Sequence, residues 1–276
     1  MCYSCIMKVL VFINKNKDVA EKKINRLTKA LSDNKINYDL IFSDNEIPSK
    51  DYSAIFIIGG DGTILRRTEF ANTNDIPIIG INAGKVGFLN EFEQEEIEQA
   101  VELFRSKQLV NDNRATMQVK YGGNTYYALN DVVVQRLYTE NNEGIIINVG
   151  VSIDGNEVCK VKGDGVIVAT PTGSTAYSLS AGGAILAPKI NAFIFTPLAS
   201  HSFSQRPVVF SSESNCDLTF ISGCSAGLFI DGVFISEIQQ NQTVTIKKSK
   251  KDTVFLRKKD SNFFSRLNIK LKDKDV

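Results

Sequence analysis

Over the first hundred residues, short apolar runs alternate with amphipathic stretches. Ile6 to Ile13, Ile36 to Phe42, Ala54 to Ile58 and Ile76 to Ile81 read as buried strands. Asp18 and Glu21 form a capping-box pair ahead of a helix to about Ser32, in which Ala20, Ile24, Leu27 and Leu31 share one face. Ile64 to Ala71 gives a second helix. Gln94 to Ser106 gives a third, with Ile97, Ala100, Val101 and Phe104 on one face. Strands separated by helices predict a mostly parallel, open, Rossmann-like sheet covered on both sides. Ligands of such sheets sit beyond the carboxyl ends of the strands.

The pattern changes near Asn111. From Ala115 onward the chain shows many short β-like runs bounded by Gly, Asn and Asp. They are Thr116 to Tyr121, Thr125 to Gln135, Gly144 to Ile153, Gly165 to Ala169, Val208 to Phe210, Asp217 to Ile221, Leu228 to Ile230 and Thr243 to Lys247. This predicts an antiparallel β-sandwich. The expected class is therefore α/β plus all-β: an α/β domain over 1–112, a β-sandwich over 113–255, and a closing segment, 256–276, that returns to the first domain.

At 276 residues the chain holds one large domain or two ordinary ones. With 32 basic and 31 acidic residues, no global field favours nucleic acid or an anionic membrane. Lys247, Lys248, Lys250 and Lys251 cluster locally and read as a solvated hairpin edge. No apolar run reaches the ~18 residues of a membrane helix, and no signal peptide is visible. The five scattered cysteines point to a reducing cytoplasm. Cys2 and Cys5 make a Cys-x-x-Cys, but no second pair or histidine cluster completes a zinc site. Met7-Lys8-Val9 looks like a natural start, which makes the first six residues an extension.

Four stretches carry candidate chemistry. Gly59-Gly60-Asp61-Gly62-Thr63 follows an apolar strand and precedes a helix, a setting in which backbone N–H groups and the helix dipole face anions. A carboxylate beside a phosphate is unfavourable unless it accepts a proton or helps hold a divalent ion. The plainer reading makes Asp61 a helix cap. Gly163 to Gly183 runs from a strand into a Pro-Thr-Gly turn dense in hydroxyls. Such groups suit ribose, amide and phosphate ligands, and also helix caps and turns. There Tyr177 offers a ring for stacking. Asn130-Asp131 places an amide and a carboxylate side by side within a β run, where both need partners if buried. Thr196 to Pro207 contains the only histidine, His201, whose ordinary role is structural.

In this order the motifs resemble the NAD kinases. Gly59 to Thr63 matches that family's GGDGT motif, and Asn82-Ala83-Gly84-Lys85-Val86-Gly87-Phe88-Leu89 looks like its NxGxLGFL segment. Gly163 to Gly183 is close to its GDG…TPTGSTAYSLSAGG block. Thr196 to Pro207 is similar to its TPxxxHSxxxRP segment, and Asp231-Gly232 to a late Asp-Gly. The resemblance runs from about Lys8 to the C-terminal segment. One departure stands out: the family's usual Asn-Glu is Asn130-Asp131 here, which keeps the charge and shortens the reach by one methylene.

The resemblance implies phosphoryl transfer from ATP, or from polyphosphate, to the 2′-hydroxyl of the adenosine ribose of NAD, with Mg²⁺. It makes Asp61 the base or orienting group and sets Gly60, Gly62 and Thr63 on the donor phosphates. Asn130 and Asp131 then bind ribose and base edges. Asp164, Thr172, Thr175, Ala176, Tyr177 and Ser180, together with Asp61 and Gly62, line the dinucleotide site, and Phe88 packs nearby. His201 and Arg206 are phosphate contacts or interface residues. The resemblance further implies an active site between the domains and a homodimer or homotetramer; the cysteines and the charge balance point to a cytoplasmic protein that binds neither nucleic acid nor membrane.

Two other classes share some of these features. A lipid or other small-alcohol kinase shares GGDGT but needs an apolar acceptor pocket, which the Ser/Thr-rich block argues against. A non-catalytic dinucleotide-binding module would tolerate loss of Asp61, yet Asp61 is present. A serine hydrolase is disfavoured because no Gly-x-Ser-x-Gly occurs.

Overall fold

A computed structural model of the chain describes residues 7–13, 20–42, 51–84, 87–138, 145–202 and 205–272. The expectations for Met1 to Ile6, for Cys2 and Cys5, for Asp18 of the capping box, and for Lys85 and Val86 lie outside the described residues. Two compact units form, Met1–Asn113 with Thr253–Val276, and Arg114–Asp252.

The first unit contains β1 (Lys8–Ile13), α1 (Ala20–Asp33), β2 (Asn37–Ile41), β3 (Ala54–Ile58), α2 (Asp61–Thr73), β4 (Ile78–Ile81), α3 (Ile97–Arg105) and β5 (Val110–Arg114). The last strand and helix of the chain, β18 (Thr253–Arg257) and α5 (Phe263–Lys272), complete it. Its six-stranded sheet has the order β2-β1-β3-β4-β18-β5. β1 pairs in parallel with β2 and β3, β3 with β4, and β4 with β18. Strand order thus reverses between β1 and β3, the switch point where doubly wound sheets open a ligand crevice.

One face of this sheet (Val9, Val11, Phe56, Ile58, Ile79, Ile81) packs on Leu27 and Leu31 of α1 and on Ile97, Val101 and Phe104 of α3. Each such fully buried aliphatic or aromatic side chain is worth about 1.5–3 kcal/mol. α2 starts at Asp61, three residues before the apolar periodicity suggests, because Gly60 takes the N-cap position and its carbonyl accepts from Thr63 N at 2.9 Å. The buried Arg67 of α2 lies over the Phe12 ring at 3.5 Å. Burial lowers its pKa to about 10, so it stays charged at neutral pH.

The second unit holds β6 (Met117–Tyr121), β7 (Asn124–Ala128), β8 (Asp131–Arg136), β9 (Ile147–Ile153), β10 (Asn156–Gly163), β11 (Gly165–Ala169), α4 (Tyr177–Ser180), β12 (Ala192–Leu198), β13 (Val208–Ser211), β14 (Cys216–Gly223), β15 (Ala226–Ile230), β16 (Val233–Ile238) and β17 (Thr243–Lys248). They form two six-stranded sheets, β10-β9-β14-β17-β6-β7 and β13-β12-β11-β8-β15-β16. The strand pairs within them are antiparallel. Val119, Val149, Leu218 and Ile246 of one sheet share a core with Val134, Val166, Phe193 and Phe195 of the other, which makes a sandwich.

Two expectations are corrected here. The run Thr125 to Gln135 is not one strand: it breaks at Leu129-Asn130 into β7 and β8, which belong to different sheets. Asn130 therefore lies outside any strand, and Asp131 opens one. Half of the lysine cluster departs from a solvated hairpin edge: Lys247 and Lys248 lie in β17, which runs between β14 and β6, and Lys248 pairs with Glu213 at 2.7 Å, whereas Lys250 and Lys251 follow the strand and are exposed.

Candidate active site

Asp61 is the first residue of α2, just past the carboxyl end of β3. Its side chain does not cap its own helix; it reaches across to the segment after β4. Phe88 N donates to Oδ2 at 2.9 Å, Leu89 N to Oδ1 at 3.1 Å, and Asn90 Nδ2 to Oδ1 at 3.4 Å. The capping alternative thus gives way to a carboxylate held by another loop. Gly87 makes this approach possible, since a Cβ there would stand 2.1 Å from Asp61 Oδ1. Gly60 and Gly62 are exposed beside the half-buried Asp61 and Thr63, so backbone at the start of α2 faces solvent where the dipole favours an anion. The half-buried Phe88 ring lies 6.2 Å from Phe263 of α5, and Lys270 Nζ stands 4.9 Å above it.

In the second unit, Leu129-Asn130-Asp131 is a bend whose backbone is fully committed. Its three N–H groups donate to the Asp231 carboxylate at 2.9, 2.7 and 3.1 Å. Its carbonyls accept from Thr170 Oγ1 at 2.6 Å, Thr170 N at 2.9 Å and Asp231 N at 3.0 Å. Asp231 has φ +48° and Gly232 φ +79°, as the two-residue β15–β16 hairpin turn requires. A Cβ on Gly173 would stand 2.0 Å from Asn130 O, so the Pro-Thr-Gly turn presses directly on this bend.

The bend leaves the half-buried Asn130 side chain free of backbone duty and buries Asp131 to 5% exposure. Among the described residues no donor reaches the Asp131 carboxylate. Burial, then the nearby Asp231 charge, pushes its pKa up to about 7. Asp231 is pushed up to about 6 by burial, against the pull of its three N–H bonds.

Thr172 is buried, with Oγ1 accepting from Arg114 Nη1 at 3.4 Å, and Thr175 Oγ1 donates to Thr172 O at 3.1 Å. Ala176 is half-buried at the entry to α4. A cavity of about 340 Å³ brings Asp164, Tyr177 and Ser180 together with Gln135, Arg136 and Tyr138. Arg136 Nε lies 2.9 Å from Asp164 Oδ1, and the Tyr177 hydroxyl donates to Gln135 at 3.4 Å. His201 and Arg206 are exposed and do not line this cavity.

The sequence alone gives no role to Asn90, Thr170 or Arg136, and it marks Asp231 only through a resemblance. An Asp-Gly between two β-like runs is a hairpin signal that marks Asp231 as a turn residue. Nothing local to it reveals which backbone it holds, about a hundred residues earlier.

The family model described as ATP-NAD kinase N-terminal domain matches residues 13–108, and that described as ATP-NAD kinase C-terminal domain matches 129–258. Both belong to a phosphotransferase, and that is the class of this chain. The NAD kinase of Caldicellulosiruptor bescii is 32% identical over 267 residues, covering 97% of this chain and all of that protein. The NAD kinase of Fusobacterium nucleatum is 34% identical over 268 residues, covering 97% and 98%. The chain belongs to the NAD kinase family, and the lipid-kinase alternative is not favoured.

Two solved structures share the fold. An NAD kinase from Archaeoglobus fulgidus in complex with ATP has a TM-score of 0.79 at 28% identity, covering 96% of this chain and 99% of that one. Yeast NADH kinase complexed with NADH has a TM-score of 0.86 at 22% identity, covering 97% and 88%.

Proposed function

We propose that the chain transfers the γ-phosphoryl group of ATP to the 2′-hydroxyl of the adenosine ribose of NAD, giving NADP and ADP. The observation that carries this reading is the Asp61 carboxylate, aligned by three N–H donors beside an exposed glycine turn at a strand's carboxyl end. A ribose hydroxyl is a weak nucleophile at neutral pH, and an aligned carboxylate accepts its proton as the bond to phosphorus forms. Gly60, Gly62 and Thr63 receive the donor phosphates.

Mg²⁺ supplies charge neutralisation on those phosphates. Among the described residues no group of three or more His, Cys, Asp or Glu side chains stands ready to hold an ion.

Asn130 and Asp131 take the ribose and base edges. A buried carboxylate that no donor among the described residues reaches is costly until ligand hydroxyls satisfy it, which supports that role for Asp131. Thr172, Thr175, Ala176, Tyr177, Ser180 and Asp164 line the rest of the dinucleotide site, with Phe88 packing nearby. His201 and Arg206, both exposed, serve as phosphate or interface contacts. The reading also takes the enzyme as a cytoplasmic homodimer or homotetramer. The charge balance of +1 supports small-molecule partners rather than nucleic acid or membrane, and no helix among the described residues is long and apolar enough to span one.

Purified protein with Mg²⁺, NAD and either ATP or polyphosphate tests this directly. NADP should form with ATP, and no phosphatidate should form when diacylglycerol replaces NAD. Absence of NADP with every donor would overturn the reading.

A further inference from the structure

We propose that Arg257 and Arg266 are positioning residues for the Asp61 carboxylate. This rests on the reading of Asp61 as the base. Arg257, at the end of β18, is 3% exposed. Its Nη2 donates to Phe88 O at 3.4 Å and its Nη1 to Asn90 O at 3.3 Å. Arg266 of α5 donates through Nη1 to the same Asn90 carbonyl at 2.7 Å. The segment that holds Asp61 is thus gripped from both sides: its donors point at the carboxylate and its carbonyls at two guanidiniums.

The peptide between Phe88 and Leu89 shows the linkage most simply. It is planar and trans, so its C=O and N–H point in opposite directions. The oxygen accepts from Arg257, and the N–H donates to Asp61 Oδ1. A cation on the oxygen polarises the unit and strengthens the opposite N–H bond. At Asn90 the two arginines fix the backbone whose side chain donates to Asp61.

The arginines are themselves fixed. Arg257 meets Glu91 at 3.0 Å and Asp112 at 2.6 Å. Arg266 meets Glu91 and donates to Ser261 Oγ at 2.6 Å. The arginines reach the Phe88 and Asn90 carbonyls rather than Asp61 itself, so each acts through the 88–90 peptides. The last two elements of the chain thereby set the aim of a side chain at the start of α2.

The test is a double-mutant cycle between Arg266→Met and Asp61→Asn, read in steady-state kinetics with NAD and MgATP. Arg266→Met should lower kcat about tenfold, because misaiming a reacting group is costly, and leave both KM values within about twofold. In the Asp61→Asn background the same substitution should change kcat by less than about twofold, since the carboxylate it aims is gone. Arg266→Lys, which keeps a cation near the carbonyl, should recover part of the loss.

Equal losses of kcat in both backgrounds would overturn the proposal, as would an Arg266→Met enzyme with unchanged kcat. Should Arg266→Met fail to fold, Arg257→Lys carries the same cycle, because it keeps the charge facing Glu91 and Asp112 but cannot span both carbonyls. Wild-type turnover in Asp61→Asn alone is a separate failure: it removes the base assignment itself.

Discussion

Compare the bend at Phe88–Asn90 in the first unit with the bend at Leu129–Asp131 in the second. Each turns its donors toward an aspartate, yet the two aspartates serve opposite ends. Asp61 is gripped and stays half-exposed beside a bare glycine turn, so the loop is the tool and the carboxylate is what it presents. Asp231 does the gripping: it collects three consecutive N–H groups, and what its loop presents is Asn130 and Asp131.

The electrostatics follow this division. Asp231 is desolvated, and its three N–H bonds offset only part of that cost; its charge adds to the burial that raises Asp131. Asp131 is buried, donorless among the described residues and pushed up to about 7. The lesson is that several N–H groups converging on a carboxylate do not by themselves mark a reactive group. Exposure and what stands next to it decide the matter.

A large effect is expected where the first bend is jammed. Gly87→Ala puts a Cβ 2.1 Å from Asp61 Oδ1, and one or the other must move. Turnover should fall about 10²-fold. The KM for NAD should stay within about threefold, because the second bend is untouched. Steady-state kinetics that show intact kcat would mean the loop does not set Asp61's aim.

The second bend should fail differently. Asp131→Ala should weaken NAD binding by roughly 1.5–3 kcal/mol, the scale of hydrogen bonds to a charged group. The KM for ATP should barely change. Calorimetry that finds unchanged NAD affinity would return Asp131 to a structural role.

The pH response sharpens the same contrast. In the unfolded chain an aspartate releases its proton near about 3.9, whereas native Asp131 holds it to about 7. Between those values the native state binds more protons than the unfolded one. Stability from this site is therefore full below about pH 4 and is lost as pH rises toward 7, by at most about 1.4 kcal/mol per pH unit. Asp231, also raised, titrates with it as a pair. Urea denaturation of wild type and Asp131→Asn at pH 4.5 and 7.5 should show the wild type losing ground to the variant at the higher pH. A constant difference would contradict the raised pKa.

Much of this was legible in the chain. Ala54–Ile58 and Gly165–Ala169 match the sequence reading residue for residue, because each is an uninterrupted apolar run with a glycine at or just beyond one end. GGDGT announced Asp61. The break at Leu129-Asn130 was hidden because its cause is the Asp231 hairpin, remote in sequence. β12 was masked by Pro197, which nonetheless takes its place opposite Val166 in the sheet. β10 was hidden by Glu157, Lys160 and Lys162 on an edge strand whose outer face meets water. β18 depends on a parallel partner, β4, through Phe255 against Ile78, a separation no local window sees.

The central claim is that Asp61 takes the proton from the ribose hydroxyl. Asp61→Asn tests it most directly, since the amide keeps the shape and loses the base. With NAD affinity measured by calorimetry and turnover by NADP formation, the account predicts affinity within about threefold and kcat lower by about 10²-fold or more. Turnover near the wild-type value, in a variant that still binds NAD, would contradict it.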